Sequence, residues 1–87
     1  MSYAIFYGPG VSKDMSRLPR EVLRRVDKAI VMLGQTPRPS GCKKLSGQSS
    51  LYRVRVGDWR IVYEIDDARQ RIAIRIVANR REVYRDL

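Results

Sequence analysis

The segment 51–65, LYRVRVGDWRIVYEI, leaves this chain few ways to fold. Apolar and polar residues alternate on both sides of Gly57-Asp58, which is the period of a half-buried strand and not of a helix. A glycine-containing two-residue turn between alternating runs is a hairpin signal. Folded about that turn, Val56 faces Trp59, Val54 faces Ile61 and Tyr52 faces Tyr63, which makes one apolar face. The other face carries Arg53, Arg55 and Arg60, with Arg55 directly opposite Arg60. Like charges directly across an antiparallel pair are destabilising. The hairpin therefore predicts one side that must be buried and one that is strongly cationic.

The flanking segments supply what covers the apolar side. SYAIFY (2–7) reads as a strand closed by Gly8-Pro9-Gly10. Ser12 is placed to cap a short helix with Val11, Met15 and Leu18 on one side. Pro19 suits the first position of a second helix, whose buried stripe is Val22, Val26, Ala29, Ile30 and Leu33. Gly34 is expected just past its end, and Pro37 marks the stop. Residues 36–50 read as a loop, and RIAIRIVA (71–78) as a strand with Ile72, Ile74 and Ile76 on one face. The order β-α-α-β-β-β predicts a single α+β domain over 1–87, a helical hairpin packed on one face of a small, mainly antiparallel sheet. The other face is expected to be open and polar.

Charge says what that open face is for. Eighteen Lys+Arg against nine Asp+Glu give a net charge of +9, and fourteen of the eighteen are arginine. Guanidinium groups are planar, always charged and matched to phosphate oxygens, so a polyanionic partner is expected. Arg75 shares the parity of Arg53, Arg55 and Arg60, with Glu64 the acidic residue on that side. Arg80, Arg81, Tyr84 and Arg85 follow where the last strand should end, and Lys43 and Lys44 lie in the preceding loop. There is no histidine, and the single cysteine, Cys42, excludes an internal disulfide and a thiolate zinc cluster. No apolar run approaches the ~20 residues of a membrane span. A cytoplasmic protein without metal or cofactor is expected. A basic sheet can bind nucleic acid, or it can cleave RNA through attack of the ribose 2′-OH on phosphate. That reaction needs a base, an acid and positive charge on the phosphorane. Arginine supplies the charge but is not a base. Tyr84 is a candidate proton handler if its cationic neighbours lower its pKa. From the residues themselves, binding and cleavage both stay open.

The run GCKKLSGQSSLYRVRVGDWRIVYEIDD followed by ANRREVYRDL closely resembles the RelE/ParE superfamily of toxins, and within it the RelE branch. The resemblance extends over nearly the whole chain. It implies a microbial-RNase-like α+β fold and a toxin of a type II toxin–antitoxin system, an endoribonuclease that cuts mRNA in the ribosomal A site without metal or cofactor. It implies neutralisation by an acidic, partly disordered antitoxin, with operator DNA contacted only through the antitoxin complex. Carried over by position, Arg53 and Arg55 match the basic pair of the first hairpin strand. Arg60 matches the phosphate-stabilising arginine, Arg80 the arginine that closes the last strand, and Tyr84 the aromatic residue that contacts the substrate base. Lys43, Lys44, Arg75, Arg81 and Arg85 are expected to contact RNA or the ribosome. The best-studied members carry lysine at the positions of Arg53 and Arg55, and many carry histidine where this chain has Asn79. A ParE-like inhibitor of DNA gyrase and a non-catalytic binding module share the same fold. The helix cations Arg20, Arg24, Arg25 and Lys28 fit a solvated face or antitoxin contacts equally well.

Overall fold

The hairpin forms in the register that its alternation requires and sits near the middle of a five-stranded sheet. The computed structural model describes residues 2–45 and 50–83. Its elements are β1 (Ala4–Tyr7), α1 (Val11–Ser16), α2 (Arg20–Gln35), β2 (Lys43–Lys44), β3 (Leu51–Val56), β4 (Trp59–Asp66) and β5 (Arg71–Asn79). The sheet order is β1-β5-β4-β3-β2. Among the described strands, only the β1–β5 pair is parallel. This is the expected α+β architecture.

One face of the sheet is sealed by the helices. Val11, Leu18, Val26, Ile30 and Leu33 meet Val56, Ile61, Tyr63, Ile65, Ile72, Ile74 and Val77, all buried. Fully burying an aliphatic side chain is worth roughly 1.5–3 kcal/mol, so this layer dominates stability. The helix ends differ from expectation. Gly10, with φ 86°, occupies the cap position of α1 in place of Ser12. Pro19 precedes α2 as its cap. Gly34 lies inside the last turn of α2, where its carbonyl accepts from the Tyr3 N–H at 2.7 Å. A Cβ at Gly34 would stand 3.1 Å from the Tyr3 carbonyl oxygen, so this glycine serves close helix–strand approach.

Three further departures bear on the site. Val62 pairs with Ile76 while Tyr63 pairs with Ile74, so Arg75 is an extra residue on β5. Such a bulge reverses the face of everything beyond it. Val77 therefore joins the helix-side core, and Ile76 turns to the opposite face. That opposite face is not wholly polar either. Leu51, Val62 and Val83 are buried there with Leu45, Ile76 and Ala78 packed against them. The turn after β5 brings Val83 back over the sheet, its N–H donating to the Asn79 carbonyl at 3.1 Å. Finally, the segment read as a loop contains β2, with Lys43 opposite Arg53 and Lys44 opposite Tyr52. Residues 46–49 of that segment lie outside the described residues.

A polar clasp anchors the chain on its way into β2. Tyr63 Oη donates to the Pro37 carbonyl at 2.8 Å. Arg38 grips Asp67 in a forked pair, Nη2 to Oδ2 at 2.9 Å and Nη1 to Oδ1 at 3.3 Å. Its Nε donates to Tyr52 Oη at 3.2 Å, and its guanidinium lies 5.1 Å from the centre of that ring. Tyr3 Oη donates to Asp67 Oδ1 at 2.6 Å, which ties in the N-terminal segment. These bonds, that from Arg38 foremost, hold the Asp67 carboxyl down at about 2. A depressed folded pKa gives stability that is present above the unfolded value of about 3.9 and is lost as pH falls through the folded one. The thermal stability gap between the native chain and Asp67→Asn should therefore close as pH is lowered from about 4 to about 2. Melting curves that stay parallel across that window would show that the clasp contributes nothing.

Candidate nucleic-acid interface

Register decides which predicted cations share a surface. On β3, Arg53 and Arg55 point away from the helices; on β4, Arg60, Val62 and Glu64 do so. Arg53 lies across from Val62, and Arg55 across from Arg60, as the alternation predicts. Pairing of β2 with β3 places Lys43 beside Arg53 on this face. Lys44 pairs with Tyr52 and belongs to the helix side, so the two lysines do not act as a pair.

Arg53 differs most from expectation. Strand parity puts it on an open, solvated face, yet it is only 6% exposed. Its buried Nε has no hydrogen-bond partner among the described residues. Among the described residues it forms no ion pair with any carboxylate. The apolar patch of Leu51, Val62 and Val83 shares its face, with Val62 directly across from it. A charge withdrawn from water without a partner is costly unless something supplies the missing partner.

Arg60, Arg80 and Arg75 are partly compensated. Arg60 Nη1 donates to the carbonyls of Gly57 and Trp59, both at 2.9 Å, so backbone oxygens at the turn offset the Arg55–Arg60 opposition. Arg80 sits at the same tip. Its N–H donates to the Asp58 carbonyl at 2.8 Å, and its Nη1 lies 3.8 Å from Asp58 Oδ1. Arg75 approaches Glu64 Oε1 at 3.7 Å. Both ion pairs are long and exposed, and pairs of this kind contribute little. The Arg81 N–H donates to Asn79 Oδ1 at 3.1 Å, so Asn79 shapes the turn. Tyr84 and Arg85 lie outside the described residues.

Lys43, Arg53, Arg55 and Arg60 thus share one face, with Arg80 and Arg81 at its hairpin end. Beside it runs a groove of about 470 Å³ whose lining includes Arg17, Arg75, Leu51, Ile76 and Glu82. Among the described residues there is no cluster of three His, Cys, Asp or Glu that would hold a metal ion. The arrangement is suited to oxyanions. It also predicts a conflict between stability and function. Arg53→Met should stabilise the free protein by about 1–2 kcal/mol, because it replaces an unpaired buried charge with an apolar side chain of similar length. Urea unfolding measures this; a variant no more stable than the native chain would contradict it.

Known proteins share this fold and sequence. Residues 5–84 match the family described as the ParE toxin of type II toxin–antitoxin system, parDE. The toxin RelE of Mycobacterium tuberculosis is 32% identical over 75 residues, covering 85% of this chain and 77% of that protein. The archaeal RelE–RelB complex from Pyrococcus horikoshii OT3 contains a chain that superposes with a TM-score of 0.81 at 29% identity, covering 92% of this chain and 97% of that one. The RelBE2 toxin–antitoxin complex of Mycobacterium tuberculosis gives a TM-score of 0.80 over 91% of this chain and 99% of that one; at 23% identity it supports the fold alone. The protein belongs to the RelE/ParE family of type II toxin–antitoxin toxins.

Proposed function

We propose that this toxin is a ribosome-dependent endoribonuclease that holds the scissile phosphate of mRNA against Arg53, Arg55 and Arg60. The observation that carries the reading is Arg53, a buried guanidinium with no counter-charge among the described residues and with Lys43 and Arg55 around it. A phosphodiester supplies the missing charge. In the reaction the ribose 2′ oxygen bonds to phosphorus and the bond to the 5′ oxygen breaks. The 2′ proton passes to a base, and the departing oxygen takes a proton from an acid. Charge grows on the phosphorane oxygens, where fixed guanidinium groups act most strongly. The arginines stay protonated throughout, so their part is electrostatic. Arg80 and Tyr84 complete the proposed site, Arg80 at the hairpin tip and Tyr84 as the contact to the base. Lys43, Arg75, Arg81 and Arg85 are assigned to RNA or ribosome contacts, and Lys44 to a ribosome contact from the other face.

The solved relatives include RelE bound to RelB. We infer that this chain likewise pairs with an acidic antitoxin that folds on binding and carries any contact to operator DNA. Exposed Phe6, Tyr7, Val31 and Met32 offer apolar anchors for such a segment.

Primer extension on an mRNA in a translating extract tests the activity. The native chain should give codon-phased cuts, and Arg55→Ala or Arg53→Met should reduce them by about a hundredfold or more. Equal cleavage of naked RNA would refute ribosome dependence. The matched family is described as a ParE toxin, and the resemblance to that branch implies one other reading, inhibition of DNA gyrase. Loss of supercoiling without mRNA cuts would select that reading.

A further inference from the structure

We propose that the cationic surface continues round the hairpin tip onto the outer side of α2 and forms a track for the RNA backbone beyond the cut. The proposal rests on the RNA reading above and extends it to flanking nucleotides. Arg20, Arg24, Arg25 and Lys28 are all exposed. Arg20, Arg24 and Lys28 fall four residues apart, in one line with a spacing of about 6 Å. Like charges at that spacing weaken a helix, and Arg20 also stands in the first turn, where the helix dipole is positive. Glu21 and Asp27 lie on the same helix, yet among the described residues neither forms a salt bridge with these cations.

Arg25 connects this line to the sheet. Its Nη2 and Nη1 stand 3.2 Å and 3.3 Å from where a Cβ on Gly57 would be. Gly57 has φ +60°. Its carbonyl is an acceptor of Arg60 on the other side of the same turn. The turn is thus flanked by Arg25, Arg60 and Arg80, with Asp58 as its carboxylate. The basic band runs from Lys43 through Arg53, Arg55 and Arg60, round the tip to Arg25, and along α2.

Composition distinguishes an RNA occupant from a protein one. Among the described residues, the exposed large apolar side chains are Phe6, Tyr7, Val31 and Met32. Phe6 and Tyr7 lie on β1, which pairs with residues 71–74 of β5, whereas the tip lies beside Asn79 at the other end of that strand. Val31 and Met32 lie in the second half of α2, where Met32 follows Lys28 on the same line of residues four apart, so the apolar side chains begin where the band ends. Arg20, Arg24, Arg25 and Lys28 themselves supply no apolar anchor of the kind on which protein interfaces depend. A phosphate backbone needs only the cations.

Fluorescence anisotropy with 2′-O-methyl RNA, which blocks attack by the 2′ oxygen, tests this with probes of about 4 and about 12 nucleotides. The double variant Arg24→Ala/Arg25→Ala should weaken binding of the long probe several-fold. It should also lower that probe's salt slope by about 0.7 for each phosphate left without its cation. The short probe should bind as before. Circular dichroism checks that the fold is intact. Equal effects on both probes, or none on the long one, would overturn the band. Displacement of the long probe by polyglutamate as readily as by polyuridylate would reassign the surface to an acidic protein and also overturn it. A short probe that fails to bind, while the long one keeps its dependence on Arg24 and Arg25, would refute the proposed cleavage site and leave the band standing.

Discussion

The pairing of β3 with β4 decides where Arg53, Arg55 and Arg60 point. Tyr52 lies across from Tyr63, Val54 from Ile61 and Val56 from Trp59, and this set closes against the helices. A slip of one residue would turn the whole set outward and bury arginines in its place. The fold therefore fixes the cationic face as a by-product of burying the apolar one. Arg53, Arg55 and Arg60 share a face because Tyr52, Val54 and Ile61 must share the other.

What the pairing does not decide is how wet that second face is. Leu51 and Val62 lie on it, and the turn after β5 folds Val83 over them. The result is a small apolar patch beside the cations, and Arg53 on the same face is only 6% exposed. A solvated arginine row would be a diffuse positive surface. A half-covered one concentrates charge in a region of lower dielectric, where attraction to an anion is stronger. In the free protein, the same burial is a source of instability.

Much of this is legible in the sequence because strand parity is a strict period. Alternation alone yields the hairpin register, the apolar face and the opposition of Arg55 to Arg60. Parity fails where a residue is inserted: the extra Arg75 sends Ile76 to the far face, and nothing in RIAIRIVA marks the bulge. The pairing of Lys43 with Arg53 is hidden in a segment whose composition says loop, since a two-residue strand is too short to carry a pattern. The clasp of Arg38, Asp67 and Tyr3 joins residues 29 and 64 positions apart, a separation at which local patterns are silent. The burial of Arg53 does leave a trace, because Leu51 and Val62 share its parity and an apolar pair on a supposedly polar face needs a cover.

We propose that a phosphate of RNA supplies the counter-charge that Arg53 lacks among the described residues. The most direct measurement is the NMR resonance of the Arg53 Nε–H during titration with 2′-O-methyl RNA. It should shift and saturate with the same affinity as overall binding, because the unpaired guanidinium gains its anion. A signal that stays in place while the protein becomes fully bound would show that no phosphate reaches Arg53.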